Sequence, residues 1–390
     1  MTGSGISVRP VRGRAERAAF INLPWKLYAN DANWVPPLKA SVRSILDARR
    51  HPFYDNDRGA EIELFVAWDG RHPVGRIAAI ENHAYNRFHN ERGAHFGFFE
   101  SIESPDCTKE LLRAAEGWAR QRNLEFMLGP FNPSTNYECG LLVDGFTRPP
   151  VVMMTYNPPF YERLLRDAGC TKEKDLLAYV STVQGRSLER LQKLADRARK
   201  RNPELSTRGA DLKNFTRDVE SVQEIYNSAW EKNWGFVPMS SGEIRVMAKE
   251  LRPSVEPNLL RFAFIDEEPA AFLLAIPDWN PVIQDLDGTP FRHPFKTVKH
   301  LVSTSASDME GLRLITLGVK EKFRKRGIEA VLFAEGLEVG LKLGYSWCEY
   351  SWILEDNELT KRTVRLMDGE LYKTYRIFRK EVRHTSTGRA

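Results

Sequence analysis

Three cations and a glycine stand where a phosphate could be held. Arg324, Lys325, Arg326 and Gly327 separate the apolar run "LRLITLGV" from an amphipathic run that starts at Ile328. The N–H groups of a helix's first turn lack intrahelical partners and the helix dipole is positive there, so such a turn attracts an anion. Arginine adds paired donors that match phosphate oxygens. An isolated Arg-x-x-Gly carries little weight; a strand before it and a helix after it make it evidence. Farther on, "WCEYSWIL" carries an acid, Glu349, among aromatics. Strand alternation puts Trp347, Glu349 and Ser351 on one face and Cys348, Tyr350 and Trp352 on the other, and it leaves open which face meets a substrate. A carboxyl buried beside aromatics has a raised pKa, which suits a base working near neutrality. Glu355 is a second candidate base. Trp230 and Trp234, in "WEKNWGFVPMS", suit either an aromatic-walled acceptor pocket or the packed end of a helix.

Other chemistries find less support. His83, His89 and His95 are spaced six apart in a strand-and-loop stretch, which does not converge three ligands on a metal. Four cysteines lie far apart without a CxxC pair, so no zinc site or disulfide framework is expected and the compartment reads as reducing, a cytoplasmic one. No run of about 18 apolar residues appears, and no membrane partner is expected. The net charge of +5, from 57 basic and 52 acidic residues, is too small for a dedicated nucleic-acid binder. The basic stretch "GRSLERLQKLADRARKRN" has an apolar face at Leu188, Leu191 and Leu194 and reads as a surface helix.

The elements that must position these residues are written twice. "LLRAAEGWARQRNLEF" (111–126) and "AVLFAEGLEVGLKLGYSW" (330–347) both place Ala-Glu-Gly within a helix, at Ala115–Gly117 and Ala334–Gly336. "NPPFYERLLRDAG" (157–169) and "NELTKRTVRLMDG" (357–369) both run from an Asn through a helical period to a Gly suited to end it. Each half also holds a hairpin, "ELFVAWDGRHPVGRIAAIEN" and "LLRFAFIDEEPAAFLLAIPDW". The 390 residues therefore read as two mixed α/β domains of similar build, 1–181 and 182–390, meeting near "STVQGRS".

On these motifs the chain resembles the GNAT superfamily of N-acetyltransferases, in two tandem copies with a degenerate first copy. The signature falls on Val319, Arg324 and Gly327, with Glu329 where Gly or Ala is usual. The resemblance implies the GNAT acyl-CoA N-acyltransferase fold and a coenzyme A pyrophosphate held by the turn Arg324, Lys325, Arg326, Gly327 and Ile328. It also implies pantetheine between two splayed strands, near Leu317, Val319 and Asn357, and an oxyanion bound by a strand amide. The position of the tyrosine that often serves as general acid is Val364 here; Tyr372 and Tyr375 are the nearest tyrosines, and Tyr375 is taken as the candidate beside Glu349. The matching turn of the first half, "SPDCTKE", has no Gly or Arg, and no coenzyme site is expected there. Forty-two positions separate Ala115 from Asn157 but twenty-three separate Ala334 from Asn357, so the first half carries an extra loop rich in Gly, Pro and Asn.

The implied activity is transfer of an acetyl group from acetyl-CoA to an amine, with Trp230 and Trp234 on the acceptor side and no metal. The acceptor is a small molecule or a peptide, and the chain is a monomer or homodimer. Aminoacyl transfer from aminoacyl-tRNA, as in the peptidoglycan-bridging transferases, and a non-catalytic coenzyme-binding role are the alternatives.

Overall fold

The computed structural model describes residues 5–55, 59–182, 185–290, 294–303 and 308–383, with the backbone alone at Gly185 and 301–303. Val183 and Gln184, in the stretch read as the meeting point of the halves, lie outside the described residues.

The chain runs β1 (Ile6–Pro10), α1 (Arg14–Leu27), α2 (Lys39–Ile45), β2 (Ala60–Asp69), β3 (His72–Asn82), α3 (His83–His89), β4 (Gly93–Ser101), α4 (Pro105–Gln121), β5 (Phe126–Gly129). It continues through β6 (Phe131–Asn132), β7 (Glu138–Cys139), β8 (Leu141–Asp144), α5 (Phe160–Asp167), β9 (Thr171–Thr182), α6 (Gly185–Arg201), β10 (Leu205–Gly209), α7 (Phe215–Ala229) and α8 (Ser241–Leu251). The last elements are β11 (Leu260–Ile265), β12 (Glu268–Pro277), α9 (Asn280–Asp285), α10 (Pro294–Ser303), β13 (Gly311–Val319), α11 (Ile328–Lys342), β14 (Trp347–Leu354), α12 (Glu358–Leu366) and β15 (Glu370–Glu381).

Two compact units emerge. The first holds residues 1–175, 287–289 and 374–390, and the second holds 176–286 and 290–373. Residues 374–381, the bulk of the last strand, therefore lie with the first unit, although the sequence places them with the second half.

In the first unit the strands run β1-β2-β3-β4-β5-β15, with β8 also on β15. β2 and β3 form the expected hairpin, and Gly70 takes φ +56° in its turn. β4 and β5 are parallel. One core lies under α4 and α5, around Phe96, Leu111, Ala115, Met127 and Leu164. Another lies under α1, around Phe20, Ile21, Val66 and Ile80. The first helix of the repeat, α4, starts on a Ser104 side chain that accepts from Cys107 N, with Pro105 in its first turn.

In the second unit the order is β9-β14-β13-β12-β11-β10. All neighbours are antiparallel except β13 and β14, which are parallel. α6 and α11 cover one face with Leu191, Ala195, Ala198, Val331 and Leu332. α7 covers the other with Ile225 and Ala229 on Phe262 and Phe272. The Ala-Glu-Gly repeat now has a mechanical account. Glu335 bonds Arg261 Nε at 2.7 Å, Thr207 Oγ1 at 2.7 Å and Arg199 Nη2 at 2.8 Å, and so ties α11 to two strands and to α6. Glu116 makes a smaller tie for α4, accepting from Arg383 N, just past β15, at 3.1 Å.

Candidate functional site

The candidate site of the second unit begins at an opening between its two parallel strands. β13 and β14 pair only from Gly311–Leu314 against Trp347–Tyr350. Beyond that, β14 stays with β9, to which it is paired from Trp347↔Thr182 to Leu354↔Leu176, while β13 stays with β12 as far as Val319↔Ala271. A β-bulge between Leu274 and Ala275, which leaves Ile315 unmatched on β13, marks where the strands part. Lys320 N donates to Ala270 O at 2.9 Å. By antiparallel alternation the N–H groups of Leu317 and Val319 then point away from β12, into the opening.

The turn from β13 to α11 sits at the end of this opening. Lys325 (φ +63°) and Gly327 (φ +82°) are both left-handed, which gathers successive N–H groups into a concavity before the first helical turn. A Cβ on Gly327 would approach the Ala198 Cβ to 2.9 Å, so both the backbone and the space require glycine.

Two of the three cations are spent on the protein itself. Arg324 Nη2 donates to Ala229 O at 2.5 Å and its Nε to Val319 O at 3.4 Å. Arg326 Nε donates to Asn202 Oδ1 at 2.6 Å, and its other end pairs with Glu204. Lys325 is exposed, and Glu329 is half-buried in the first turn of α11. Phosphate oxygens would fit the amide concavity of Lys325–Glu329, with Lys325 as the side-chain cation and the arginines shaping the turn.

Strand alternation leaves two faces for β14, and the structure assigns them. Cys348 and Tyr350 join the core under α11, with Tyr350 Oη 3.0 Å from Ser181 Oγ. Glu349 points the opposite way and is fully buried (0% exposed). Its Oε1 accepts from Ser351 Oγ at 2.5 Å, and that hydroxyl accepts from Arg313 Nε at 3.1 Å. Arg313 lies opposite Glu349 in the ladder and is itself buried, its guanidinium 5.1 Å from the Trp352 ring. Oε2 of Glu349 has no hydrogen-bond partner. Desolvation pushes the Glu349 carboxyl up to about 7; Arg313, Ser351 and Lys373 oppose the rise, and Asp278 adds to it. A buried carboxyl with one oxygen unanswered is costly unless something is meant to use it.

The remaining sequence candidates fall around this frame. Trp230, just after α7, stacks on Tyr226 (centroids 4.9 Å apart) and lies against Phe272. It covers Gly318 of β13, where a Cβ would come within 2.2 Å of its ring. Arg324 holds the neighbouring carbonyl, that of Ala229. Trp234 is half-buried in the turn beyond. Asn357 caps α12, accepting from Thr360 N at 3.1 Å. Glu355 is half-buried, and its carbonyl accepts from Lys361 Nζ at 2.5 Å. Val364 is a core residue (1% exposed) against Gly369. Tyr375 is fully buried on β15 opposite Leu142, in the first unit. Sequence reading put Ser351 on the face of Glu349 but missed Arg313, Lys373 and Asp278; a basic residue facing Glu349 across adjacent strands becomes visible only once their register is known.

Among the described residues no group of His, Cys, Asp and Glu could hold a metal ion, and no helix is long and apolar enough to cross a membrane. The basic helix α6 packs on α11 through Leu191, Ala195 and Ala198, with Arg190 on Asp368 and Arg199 on Glu335.

No protein-family model matches the chain. Among solved structures it is similar to a tandem GNAT protein from the clavulanic acid biosynthesis pathway (TM-score 0.56, 12% identity, 98% of this chain and 100% of that one). It is also similar to a GCN5-related N-acetyltransferase from Sphaerobacter thermophilus (TM-score 0.51, 15% identity, 98% of each chain). Among curated proteins it is 31% identical to protein YghO of Escherichia coli over 383 residues, 96% of this chain and 95% of that protein. It is 35% identical to the bacterial ceramide synthase of Caulobacter vibrioides over 384 residues, 97% of this chain and 98% of that protein. Two halves of one plan, each with a parallel strand pair inside an otherwise antiparallel sheet, give the chain a tandem GNAT-like fold, and full-length identity at this level places it in the family of the bacterial ceramide synthase and YghO.

Proposed function

We propose that the second unit is an acyl-CoA-dependent N-acyltransferase whose acceptor is the amine of a sphingoid base. The observation that carries this reading is the buried Glu349, with a pKa near 7 and an unanswered oxygen, on a strand that splays from its neighbour next to an amide-lined turn. The GNAT fold supports an acyl transfer, and the ceramide synthase relative supports an amine-bearing lipid as acceptor and a fatty acyl donor, rather than the acetyl donor expected from sequence.

In this reading the amides of Lys325–Glu329 and the Lys325 ammonium hold the coenzyme's phosphates. The opened edge of β13 pairs with the pantetheine arm, and Trp230 and Trp234 bound the acceptor side. The amine nitrogen attacks the thioester carbonyl carbon, the C–N bond forms as the C–S bond breaks, and the sulfur leaves as a thiolate. An N–H of Leu317 or Val319 donates to the carbonyl oxygen as it gains charge. Glu349, half ionised near neutral pH, takes the proton the amine gives up, directly or through one water. Arg313 and Ser351 fix the carboxylate's orientation. The reading includes a cytoplasmic location, supported by four buried thiols without disulfides.

The test is calorimetric titration with a long-chain acyl-CoA, followed by a thiol-release assay with a sphingoid base. Binding at one site per chain and amine-dependent thiol release are expected. No binding and no release would overturn the assignment.

A further inference from the structure

We propose that α10 docks this protein onto an anionic lipid surface. The helix sits on an arm present in one half only. The connection from β12 to β13 spans residues 278–310, whereas its counterpart from β3 to β4 spans residues 83–92. The arm is rooted at the candidate site. Asp278 N donates to Gly311 O at 2.9 Å, and the Asp278 carboxylate is among the charges acting on Glu349. Trp279 and Val282 anchor its first turn on the core under α11.

Beyond that root, α10 is unlike a core helix. Its ten residues "PFKTVKHLVS" contain no acid. Phe295 is 89% exposed and Val298, one turn later, is 57% exposed, so an apolar edge faces solvent. Lys296 and Lys299 are exposed next to it. Lys296 Nζ and His300 Nε2 both lie within 3 Å of Asp285, which latches the helix to α9 by its polar side.

A short helix with an aromatic edge and a lysine beside it lies in the plane of a bilayer interface: the phenylalanine enters the acyl boundary and the Lys299 ammonium meets anionic headgroups. The sequence expectation of no membrane partner rests on the lack of a spanning segment, and a ten-residue helix lies on a membrane rather than across it. Docking there would bring the root of the arm, and with it Glu349, close to where a lipid amine resides. The docking itself does not depend on the proposed reaction.

The experiment is co-sedimentation of the full chain with vesicles of equimolar phosphatidylglycerol and phosphatidylcholine, compared with phosphatidylcholine alone. The wild type should bind the anionic vesicles and be released by high salt. The double variant Phe295→Ser/Val298→Ser should lose at least about tenfold in partitioning, since two inserted side chains are removed. Lys299→Glu should weaken binding to anionic vesicles only. Both variants alter exposed positions, and their melting curves should match the wild type. A wild type that stays in solution, or a double variant that sediments equally well, overturns the proposal. So does a dimer, abolished by the double variant, in place of vesicle binding. Vesicle binding without any acyl transfer to soluble substrates would remove the functional reading and leave this one standing.

Discussion

The two units share a plan and differ at one gap. In the second, β13 and β14 pair over four residues and part after Leu314 and Tyr350. In the first, β4 and β5 also pair over three residues only, Gly93–His95 against Phe126–Leu128. There the chain leaving β5 turns straight back into the gap. A Cβ on Gly97 would lie 1.6 Å from Phe131 O, and Asn132 Oδ1 accepts from Phe98 N at 2.6 Å. Asn157, which matches Asn357, accepts from Leu142 N and donates to Leu142 O, clamping β8 in place. The extra loop of the first half is thus the plug of its own groove. In the proposed reading, only the half whose strand amides are left unanswered can take a thioester cofactor.

The helix starts differ in the same sense. Ser104 and Pro105 satisfy the first turn of α4 from within, whereas α11 starts at Gly327 with no side-chain cap. The largest expected effect comes from this difference. Gly327→Asp puts a side chain into the left-handed position against Ala198 and a negative charge at the proposed phosphate site. Acyl-CoA affinity should fall by more than about a hundredfold, roughly the loss of 3 kcal/mol. The matching change Ser104→Asp supplies an equally good cap and should leave binding untouched. Calorimetry on the two proteins, each checked by circular dichroism, decides; equal affinities would sink the distinction between the halves.

Each unit also buries a glutamate, and these differ in what answers them. In the first unit Glu100 Oε2 accepts from Tyr28 Oη at 2.6 Å and Tyr161 Oη at 2.9 Å, while Oε1 faces Arg76 at 3.4 Å. Desolvation raises its pKa too, but both oxygens are engaged. Glu349 keeps one free. Glu349→Gln should lower kcat by about 10²–10⁴ with little change in coenzyme binding. Glu100→Gln should leave kcat intact and destabilise the protein by about 3 kcal/mol, because Arg76 stays buried with a weakened partner.

The pH dependence carries a second check. The Glu349 carboxyl holds its proton up to about 7 in the folded chain, against an ordinary 4.5. Its favourable contribution is complete below 4.5 and is lost as pH rises through 7. Activity should rise over the same window as the base forms. Glu349→Gln should therefore gain stability relative to the wild type as pH increases from 5 to 8, a slope read from denaturant midpoints. A wild-type rate that is flat across that window would exclude Glu349 as the base.

Much of this was legible in the sequence because it is local. The strand, basic turn, glycine and helix at 312–333 arise from hydrophobic period and backbone demands, and the Asn and Ala-Glu-Gly repeats mark the two halves. The hidden part is non-local. Nothing near residues 374–381 says that their strand completes the first unit, since pairing partners more than two hundred residues away leave no nearby trace. The engagement of Arg324 and Arg326 is equally invisible, for a guanidinium reads the same whether it faces phosphate or the carbonyl of Ala229. Alternation along β14 gave two faces but only the register with Arg313 chose one. In the arm, the spacing of Phe295 and Val298 with Lys296 between them and Lys299 after them was a readable amphipathic signal.

The smallest expected effect uses the repeat itself. Gly117 and Gly336 occupy the same place in α4 and α11, and neither has positive φ, so both spend backbone entropy without a conformational reason. A Cβ on Gly117 meets nothing within 4 Å, while one on Gly336 meets Leu273 Cδ2 at 3.4 Å, an ordinary contact. That contact borders an apolar cavity of about 30 Å³ lined also by Leu312, Leu314 and Phe333. Gly117→Ala should stabilise by about 0.5–1 kcal/mol from helix propensity alone. Gly336→Ala should match or exceed it, because the added methyl also fills part of the void. Denaturant titration of the two variants compares the packing of the halves directly. A loss of stability in Gly336→Ala would mean that α11 must lie tighter on β12 than α4 lies on its own strands, and that the second unit gives up helix propensity to hold its groove in shape.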